Sequence, residues 1–495
     1  MSTRPNTRTT LTAQEIIATV VRGHLADGYR LVMTTAQEDD DEFRVIYVLA
    51  RARDGRRREF VVRTPKAIPK IPSMAGISFP LGRFEREMRD LYGIVPVDHP
   101  LPARLVRHSH WPSGYYPMRR DADRDPAFEH NPHARFVDVH GTGVYEIPVG
   151  PIHAGLIEPG HFRFYVVGET ILRMKARLWW VQRGVEKLFE GRRPQDAVAL
   201  SEVVSGDTAV GHSVAFAMAV EEAAGLEVPE EARLIRALLL EMERIHNHIA
   251  DLGMLANDVG FGAINAHALR LRERMLRLNA IVTGHRLLRG AITIGGAEVR
   301  TLPDPDEISA ITDEVMDVAA ATLGHSTVRD RFNDTAILRR DAALELGTLG
   351  YIARASGIDI DARRDFPFID LGRHFEVCTE TSGDVMARYL VRRNEIAVST
   401  AVIADLSARL NRRRGVAGRP DALAAGAGLS LVEGWRGTIA HRVELAEDGT
   451  LSRVKIVDPS FFNWPALSIA LADTIVPDFP LANKSFNQSY AGNDL

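Results

Sequence analysis

The sequence predicts an α+β protein in two parts: a small α+β domain over residues 12–118 and a larger, mainly helical domain over residues 144–495. Three observations carry this. The first part shows strand-like runs around Asp54-Gly55, and the second shows long apolar runs at three- and four-residue spacing. Between them, from Pro96 to Pro132, the chain is dense in Pro, His, Asp and Arg, which suits an extended arm; the linker is placed at residues 119–143.

The elements follow in order. Phe43–Ala50 and Glu59–Val62 are expected as strands joined by a hairpin at Asp54-Gly55, with the Arg51–Arg58 charge cluster as its solvated tip. A short helix carries Phe84, Met88 and Leu91 on one face, pairs Glu85 with Arg89 and Arg86 with Asp90, and stops at Gly93. Ile171, Met174, Leu178, Val181, Val185 and Leu188 have the spacing of an amphipathic helix. Leu234, Leu238, Met242, Ile245, Ile249 and Leu252 repeat that spacing after Pro229 and the acidic start Glu230-Glu231. Arg270–Leu288 is expected as a third long helix, and the C-terminal stretch, broken by Gly434, Gly437, Pro459, Pro465, Pro477 and Pro480, turns mixed again.

The totals exclude several classes. Net charge is −4 with both signs plentiful, so no bulk field draws in nucleic acid or anionic lipid. Cys378 is the sole cysteine; one thiol closes no intrachain disulfide, and a reducing compartment fits. Met1–Leu11 has no apolar core of a signal peptide, and Val214–Val220 and Ala466–Ala472 are far shorter than the roughly 20 residues that span a bilayer. A soluble chain is expected, with any membrane association made through partners.

Soft metals and iron–sulfur clusters need several thiolates, usually paired as CxxC, so a single cysteine rules such a centre out of this chain alone. Glu243 and His246 have the Glu-x-x-His spacing of di-iron bundles, but the second match, Glu158–His161, contains Pro and Gly and cannot be a helical turn. The plain reading is a helix whose Glu and His bond to neighbouring helices. The Gly/Pro-rich segment bearing His153, Glu158, His161 and Arg163 is either a proton-handling loop or a structural hairpin. Asp207 suits the N-cap of a helix starting at Thr208. No phosphate loop, dinucleotide fingerprint or nucleophile elbow is present.

Glu85-Arg-Glu-Met-Arg-Asp-Leu-Tyr-Gly-Ile94, then His99-Pro100 and Arg104-Leu105, resemble the C-type subunit of bacterial NADH:quinone oxidoreductase. Arg183-Gly-Val-Glu-Lys-Leu188, Glu243-Arg-Ile-His-Asn-His248, Ser382-Gly-Asp-Val385 and Asp458-Pro-Ser-Phe461 resemble both the D-type subunit of that enzyme and the [NiFe]-hydrogenase large subunit. Both in one chain is the arrangement of the formate-hydrogenlyase and hydrogenase-4 type large subunit. The resemblance implies a second domain like that large subunit, and an iron–sulfur small subunit with a [4Fe-4S] cluster. It further implies integral membrane antiporter-like subunits, and a formate dehydrogenase or NADH module as electron source. The implied place is the cytoplasmic face of the cell membrane.

The departures from the family shape the expected site. Hydrogenases hold nickel and iron with two CxxC pairs; the matching positions here are Ser205 and Thr208, ahead of His212, and Ser489 and Gly492, ahead of Asp494. A hydroxyl is a poor substitute for a thiolate and Gly offers no ligand, so hydrogen chemistry at nickel is excluded. The C-terminal tail that hydrogenase precursors lose is also expected to be absent after Leu495. The D-type relative uses the vacated space as a quinone site, although its quinone-binding tyrosine corresponds to Val203 here, and its histidine to the loop containing His153 and His161. The expectation is a metal-free redox cavity with Glu158 and His161 moving protons and Arg163 and Arg388 holding charge. His153, Asp207, His212, Asp384 and Asp494 complete its lining. The other reading is a structural coupling subunit with a vestigial site.

Overall fold

The computed structural model describes residues 7–129, 139–155, 157–418, 420 and 422–495. Its first part opens with β1 (Thr7–Leu11), α1 (Ala13–Ile17), β2 (Arg30–Glu38), β3 (Glu42–Arg51) and β4 (Arg56–Pro65). These strands form one sheet in the order β1-β4-β3-β2, antiparallel except for β1 against β4. β5 (Lys70–Pro72), α2 (Phe79–Tyr92) and β6 (Val95–Val97) follow, with β5 and β6 parallel.

Thr12 starts α1 with a reciprocal cap to Glu15, and Gly93 stops α2 at φ +78°. The helix on Phe84, Met88 and Leu91 therefore stands as read from the sequence, but its i,i+4 charge pairs do not form. Glu85 instead takes Ser73 Oγ and the Met74 N–H at 2.6 Å each, and Asp90 takes the N–H groups of Leu105, Val106 and Arg107. Buried carboxylates gain more from several N–H donors than from one arginine at a solvated face. The Arg51–Arg58 cluster is likewise only partly a solvated tip. Arg51 pairs with Asp54, and Arg57 crosses to Glu222 at 2.7 Å and to the Leu429 carbonyl.

Residues 98–129 run as an arm without helix or strand, pinned by Arg104 and Arg107 to backbone carbonyls; residues 130–138 of the expected linker lie outside the described residues. The second part begins with a three-stranded antiparallel sheet, β7 (Val144–Val149), β8 (His161–Val167) and β9 (Thr170–Arg177). Here the sequence reading fails: residues 171–177 are a strand, and only α3 (Val185–Phe189) is helical in that stretch. A register shift at Tyr165/Val166 skips Leu172, so Ile171 and Met174, three apart, both face the core while Leu172 is exposed. A bulge thus imitates helical spacing.

The helical body comprises α4 (Pro194–Ser201), α5 (Ala209–Ala224), α6 (Glu230–Asp258), α7 (Gly262–Thr283), α8 (Pro305–Gly324), α9 (Ser326–Phe332), α10 (Arg340–Leu346), α11 (Gly350–Ala355), α12 (Ala362–Asp365) and α13 (Val385–Leu410). The third long helix, α7, thus starts earlier than read and ends before Leu288, whose φ is +59°. A small sheet of β10 (Ile292–Thr293), β11 (Gly296–Glu298) and β12 (Gly415–Val416) flanks α6. A sheet of β13 (Gly426–Gly434), β14 (Gly437–Leu445) and β15 (Leu451–Val457) packs on α5. The chain then runs through α14 (Pro459–Ala470), α15 (Phe479–Phe486) and α16 (Tyr490–Asp494). Among the described residues, no helix is long and apolar enough to cross a membrane.

α6 buries nearly its whole length, including charged residues, because α13 supplies counter-charges. Glu395 accepts from His248 at 2.8 Å and from Arg354 at 2.7 and 3.0 Å. Arg354 also reaches Glu433, and Arg363 ties Asp361 to Glu241. Against the cost of burial, Arg354, His248 and Arg244 hold Glu395 ionised far below the ordinary carboxylate range.

The two parts meet across the β13–β15 sheet. Arg442 pairs with Glu59, Arg44 with Glu444 at 3.0 Å, and Lys455 with both Glu87 at 2.7 Å and Glu186 at 3.0 Å. The Phe84 ring stacks on Phe461 at 4.5 Å.

Candidate functional site

The site forms where the turn before α5 meets the last turn of the chain. Ser205 and Ser489 are 284 positions apart, yet their Oγ atoms lie 2.8 Å from each other. Ser489 caps α16 by accepting the Gly492 N–H at 2.8 Å, which leaves its own proton for Ser205. Ser205 in turn donates to Asp207 Oδ1 at 3.0 Å. Hydroxyl, hydroxyl and carboxylate therefore line up as one directed chain.

Asp207 is not an N-cap, contrary to the sequence reading. Arg436, on the β13–β14 hairpin, grips both its oxygens at 2.7 and 2.8 Å, and Thr208 Oγ1 adds a bond at 3.1 Å. Although burial works the other way, Arg436 and these hydroxyls hold the Asp207 carboxyl well below its usual range. Trp435 Nε1 donates to Thr208 Oγ1 and to the Asp207 carbonyl, closing the turn from below. The open N-terminus of α5 is satisfied instead by Glu243 of α6, which accepts from Val210 and Gly211 at 2.7 and 3.0 Å. Burial pushes Glu243 up to about 8 despite those two donors. His246 bonds back to the Met242 carbonyl and meets Asn279, so the Glu-x-x-His pair is spent within the helix packing.

Gly492 lies against Asp458, where an added Cβ would sit 2.6 Å from the carboxyl carbon. Asp458 bonds His212 Nε2 at 3.0 Å, and His212 Nδ1 meets His441 Nε2 at 3.0 Å, all three fully buried. Against its burial, His212 keeps Asp458 low, while burial and then His212 push His441 far below the usual histidine range. On the other side of the last turn, Glu158 accepts the Ala491 N–H at 3.0 Å. Asp494 accepts the Val181 N–H at 3.0 Å, and burial pushes its carboxyl up to about 6, with the charge of Glu158 adding to the rise. Gly160 is needed for this approach: a side chain there would meet the Tyr490 ring at 2.5 Å.

The structure thus brings Ser205, Asp207, Thr208, Ser489 and Gly492 together, with Glu158, His212 and Asp494 around them. It does not bring in the others. His153 and His161 tie their own loop, to the Gly160 and Gly150 carbonyls at 2.8 and 3.0 Å, and Arg163 pairs with Glu146 across β7 and β8. Asp384 caps α13, and Arg388 braces Ser485 and the Phe486 ring from behind. Burial pushes Arg388 down to about 9. Val203 is exposed at the rim beside Gly206. Sequence reasoning missed Arg436, Trp435 and His441; only the Gly434 and Gly437 turn signal marked the hairpin that presents the first two.

Family models match the chain in three stretches. They are the respiratory-chain NADH dehydrogenase 30 Kd subunit over residues 11–127, nickel-dependent hydrogenase over 183–256, and the respiratory-chain NADH dehydrogenase 49 Kd subunit over 258–423. The chain is 32% identical over 447 residues to formate hydrogenlyase subunit 5 of Escherichia coli (strain K12), covering 87% of this chain and 76% of that protein. It is 32% identical over 494 residues to hydrogenase-4 component G of the same organism, covering 96% and 81%. A chain of the membrane-bound sulfane sulfur reductase, an archaeal respiratory membrane complex, superposes with a TM-score of 0.65 at 26% identity, covering 72% of this chain and 99% of that chain.

The residues present do not fit the nickel–iron centre that the hydrogenase match implies. Three of the four positions offer hydroxyls and the fourth no side chain, with the Asp458 carboxyl where a ligand at 492 would grow. Among the described residues, no group of three or more His, Cys, Asp or Glu is placed to hold a metal ion. At 32% identity over most of both proteins and with the same order of matched parts, the chain belongs to the family of respiratory-complex subunits that includes formate hydrogenlyase subunit 5 and hydrogenase-4 component G.

Proposed function

We propose that this chain is a peripheral-arm subunit of a membrane-bound respiratory oxidoreductase, held at the cytoplasmic face by antiporter-like membrane subunits. In this reading, a carrier of the quinone class is reduced at the Ser205–Asp207–Ser489 locus. Two electrons arrive from a [4Fe-4S] cluster in an iron–sulfur small subunit, fed by a formate- or NADH-oxidising module. Two protons convert the carrier to its quinol form.

The observation that supports this most is the 2.8 Å contact between Ser205 and Ser489, which joins two of the four thiolate positions in a hydrogen-bonded chain ending on Asp207. Hydroxyls cannot hold nickel but can donate to a carbonyl that gains charge on reduction. Asp494, whose carboxyl titrates near 6 beside Glu158, is better placed to exchange protons near neutrality than His161, whose Nδ1 is bonded to the Gly150 carbonyl. The test is quinone-dependent oxidation by the purified complex with its cluster chain reduced. Turnover that falls tenfold or more in Asp207→Asn and Asp494→Asn, with assembly intact, supports the reading. Absence of any quinone reduction while the clusters reduce normally would sink it.

A second reading has its own support. Ser205, Thr208 and Asp207 satisfy one another and Arg436 so fully that the locus can serve as a closed brace in a coupling subunit. Unchanged turnover in Glu158→Ala and Asp494→Asn would favour that reading.

A further inference from the structure

Residues 375–380 follow α12 as a straight run with no helix, strand, turn or bend. Both ends are pinned to the buried ion network. The Arg363 guanidinium stands 4.9 Å from the centroid of the Phe375 ring, and the Glu380 N–H donates to the Arg354 carbonyl at 3.0 Å. Arg363 and Arg354 are themselves fixed by Glu241 and Glu395, so the anchors are firm. Between them, Glu376, Val377, Cys378 and Thr379 pair with no other backbone group among the described residues. Cys378 turns inward at 8% exposure, whereas Glu376 and Thr379 face outward.

This run borders a cleft of about 390 Å³. Phe375, Glu376, Val377 and Thr379 line it from the run, and Asp359 and Arg364 line it from α12 and its approach. Arg364, the one cation in the lining, is already taken: Nη1 donates to Asp359 at 2.6 Å and Nε to Asp365 at 2.9 Å. Glu376 has no hydrogen bond or ion pair among the described residues. The lining therefore leaves one carboxylate uncompensated, next to four residues of unpaired backbone.

A row of unpaired N–H and carbonyl groups on a straight segment is a template on which another chain can add a strand. Anchors at both ends mean that this wall needs little ordering when a ligand docks. The volume lies within the roughly 300–1,000 Å³ typical of binding clefts, and the free carboxylate selects a positive side chain. We infer that this cleft docks an extended, basic polypeptide segment of a partner, which adds as a strand along residues 376–379 and sets a lysine or arginine against Glu376. The cleft shares no residue with the Ser205–Ser489 locus, and the inference stands whether or not a carrier is reduced there.

The probe is a hexapeptide of alternating lysine and valine, acetylated and amidated, added to the full-length chain. Affinity is read by fluorescence anisotropy of the labelled peptide, and its position by amide hydrogen exchange. Saturating peptide is expected to slow exchange over residues 376–379 at least fivefold. The same peptide with glutamate in place of lysine should not do so, nor should the lysine peptide with every amide N-methylated. Glu376→Lys should weaken binding at least tenfold; this side chain is exposed and unpaired, so the variant should fold. Asp40→Asn, an exposed carboxylate at the turn between β2 and β3, should leave binding unchanged. Absence of slowing over residues 376–379, equal slowing by the acidic or methylated peptide, or full affinity in Glu376→Lys overturns the inference.

Discussion

Two buried polar regions lie side by side in the helical body and are built on opposite rules. Between α6 and α13, charge is set against charge: Glu395, Arg354, Glu433, Asp361, Arg363 and Glu241 are all engaged with one another. At the Ser205–Ser489 locus the central contact is between two neutral hydroxyls, with one ion pair, Asp207–Arg436, beside it. The first arrangement fixes helices and resists any change of charge. The second joins the turn before α5 to the last turn of the chain through a shared hydroxyl contact and the single Asp207–Arg436 ion pair.

The comparison breaks first if the ion network proves dispensable. Glu395→Ala leaves Arg354, Arg244 and His248 without their shared carboxylate, and should cost about 3–5 kcal/mol by thermal or denaturant unfolding. A loss below about 1 kcal/mol would show that the network is slack.

Gly492→Ala tests the crowding at Asp458 and is expected to cost about 1–3 kcal/mol. Gly492→Cys, combined with cysteines at 205, 208 and 489, should bind no stoichiometric nickel, as elemental analysis would reveal.

Asp494 sharpens the contrast through pH. Its folded carboxyl titrates near 6 and an unfolded aspartate near 3.9, so between about pH 4 and 6 the native state keeps a proton that the unfolded chain has lost. Its contribution to stability therefore falls as pH rises through that window. Asp494→Asn should remove roughly 2 kcal/mol of this pH dependence, seen in unfolding curves at pH 4.5 and 7. Smallest is Ser205→Ala, at about 1 kcal/mol. The Ser205→Ala/Ser489→Ala pair should be less than additive, since each single change already removes the shared bond.

Some of this was open to reading from the sequence and some was not. α6 was legible from its apolar spacing and acidic start, because a long helix repeats its signal over many turns. β9 was misread because a one-residue bulge gave Ile171 and Met174 a helix-like interval. The meeting of Ser205 with Ser489 could be expected only through the family resemblance, since no local pattern links residues 284 positions apart. The Gly434 and Gly437 turn marked the hairpin that carries Arg436 but not its pairing: its partner Asp207 lies 229 positions away, and Asp207 looked like an ordinary cap. Local periodicity reports elements, whereas charge pairing across the fold leaves no periodic trace.

The seam between the two parts has a consequence for handling the protein. Lys455 and Arg442 rest their charges on Glu87 and Glu59 of the N-terminal part. Severing the polypeptide within its arm would expose Lys455 and Arg442, each left with only one of its two carboxylates, and the Phe461 ring on one fragment, and their acidic and aromatic complements on the other. Neither half would then be an independent module, and both would be expected to recover solubility only when co-produced.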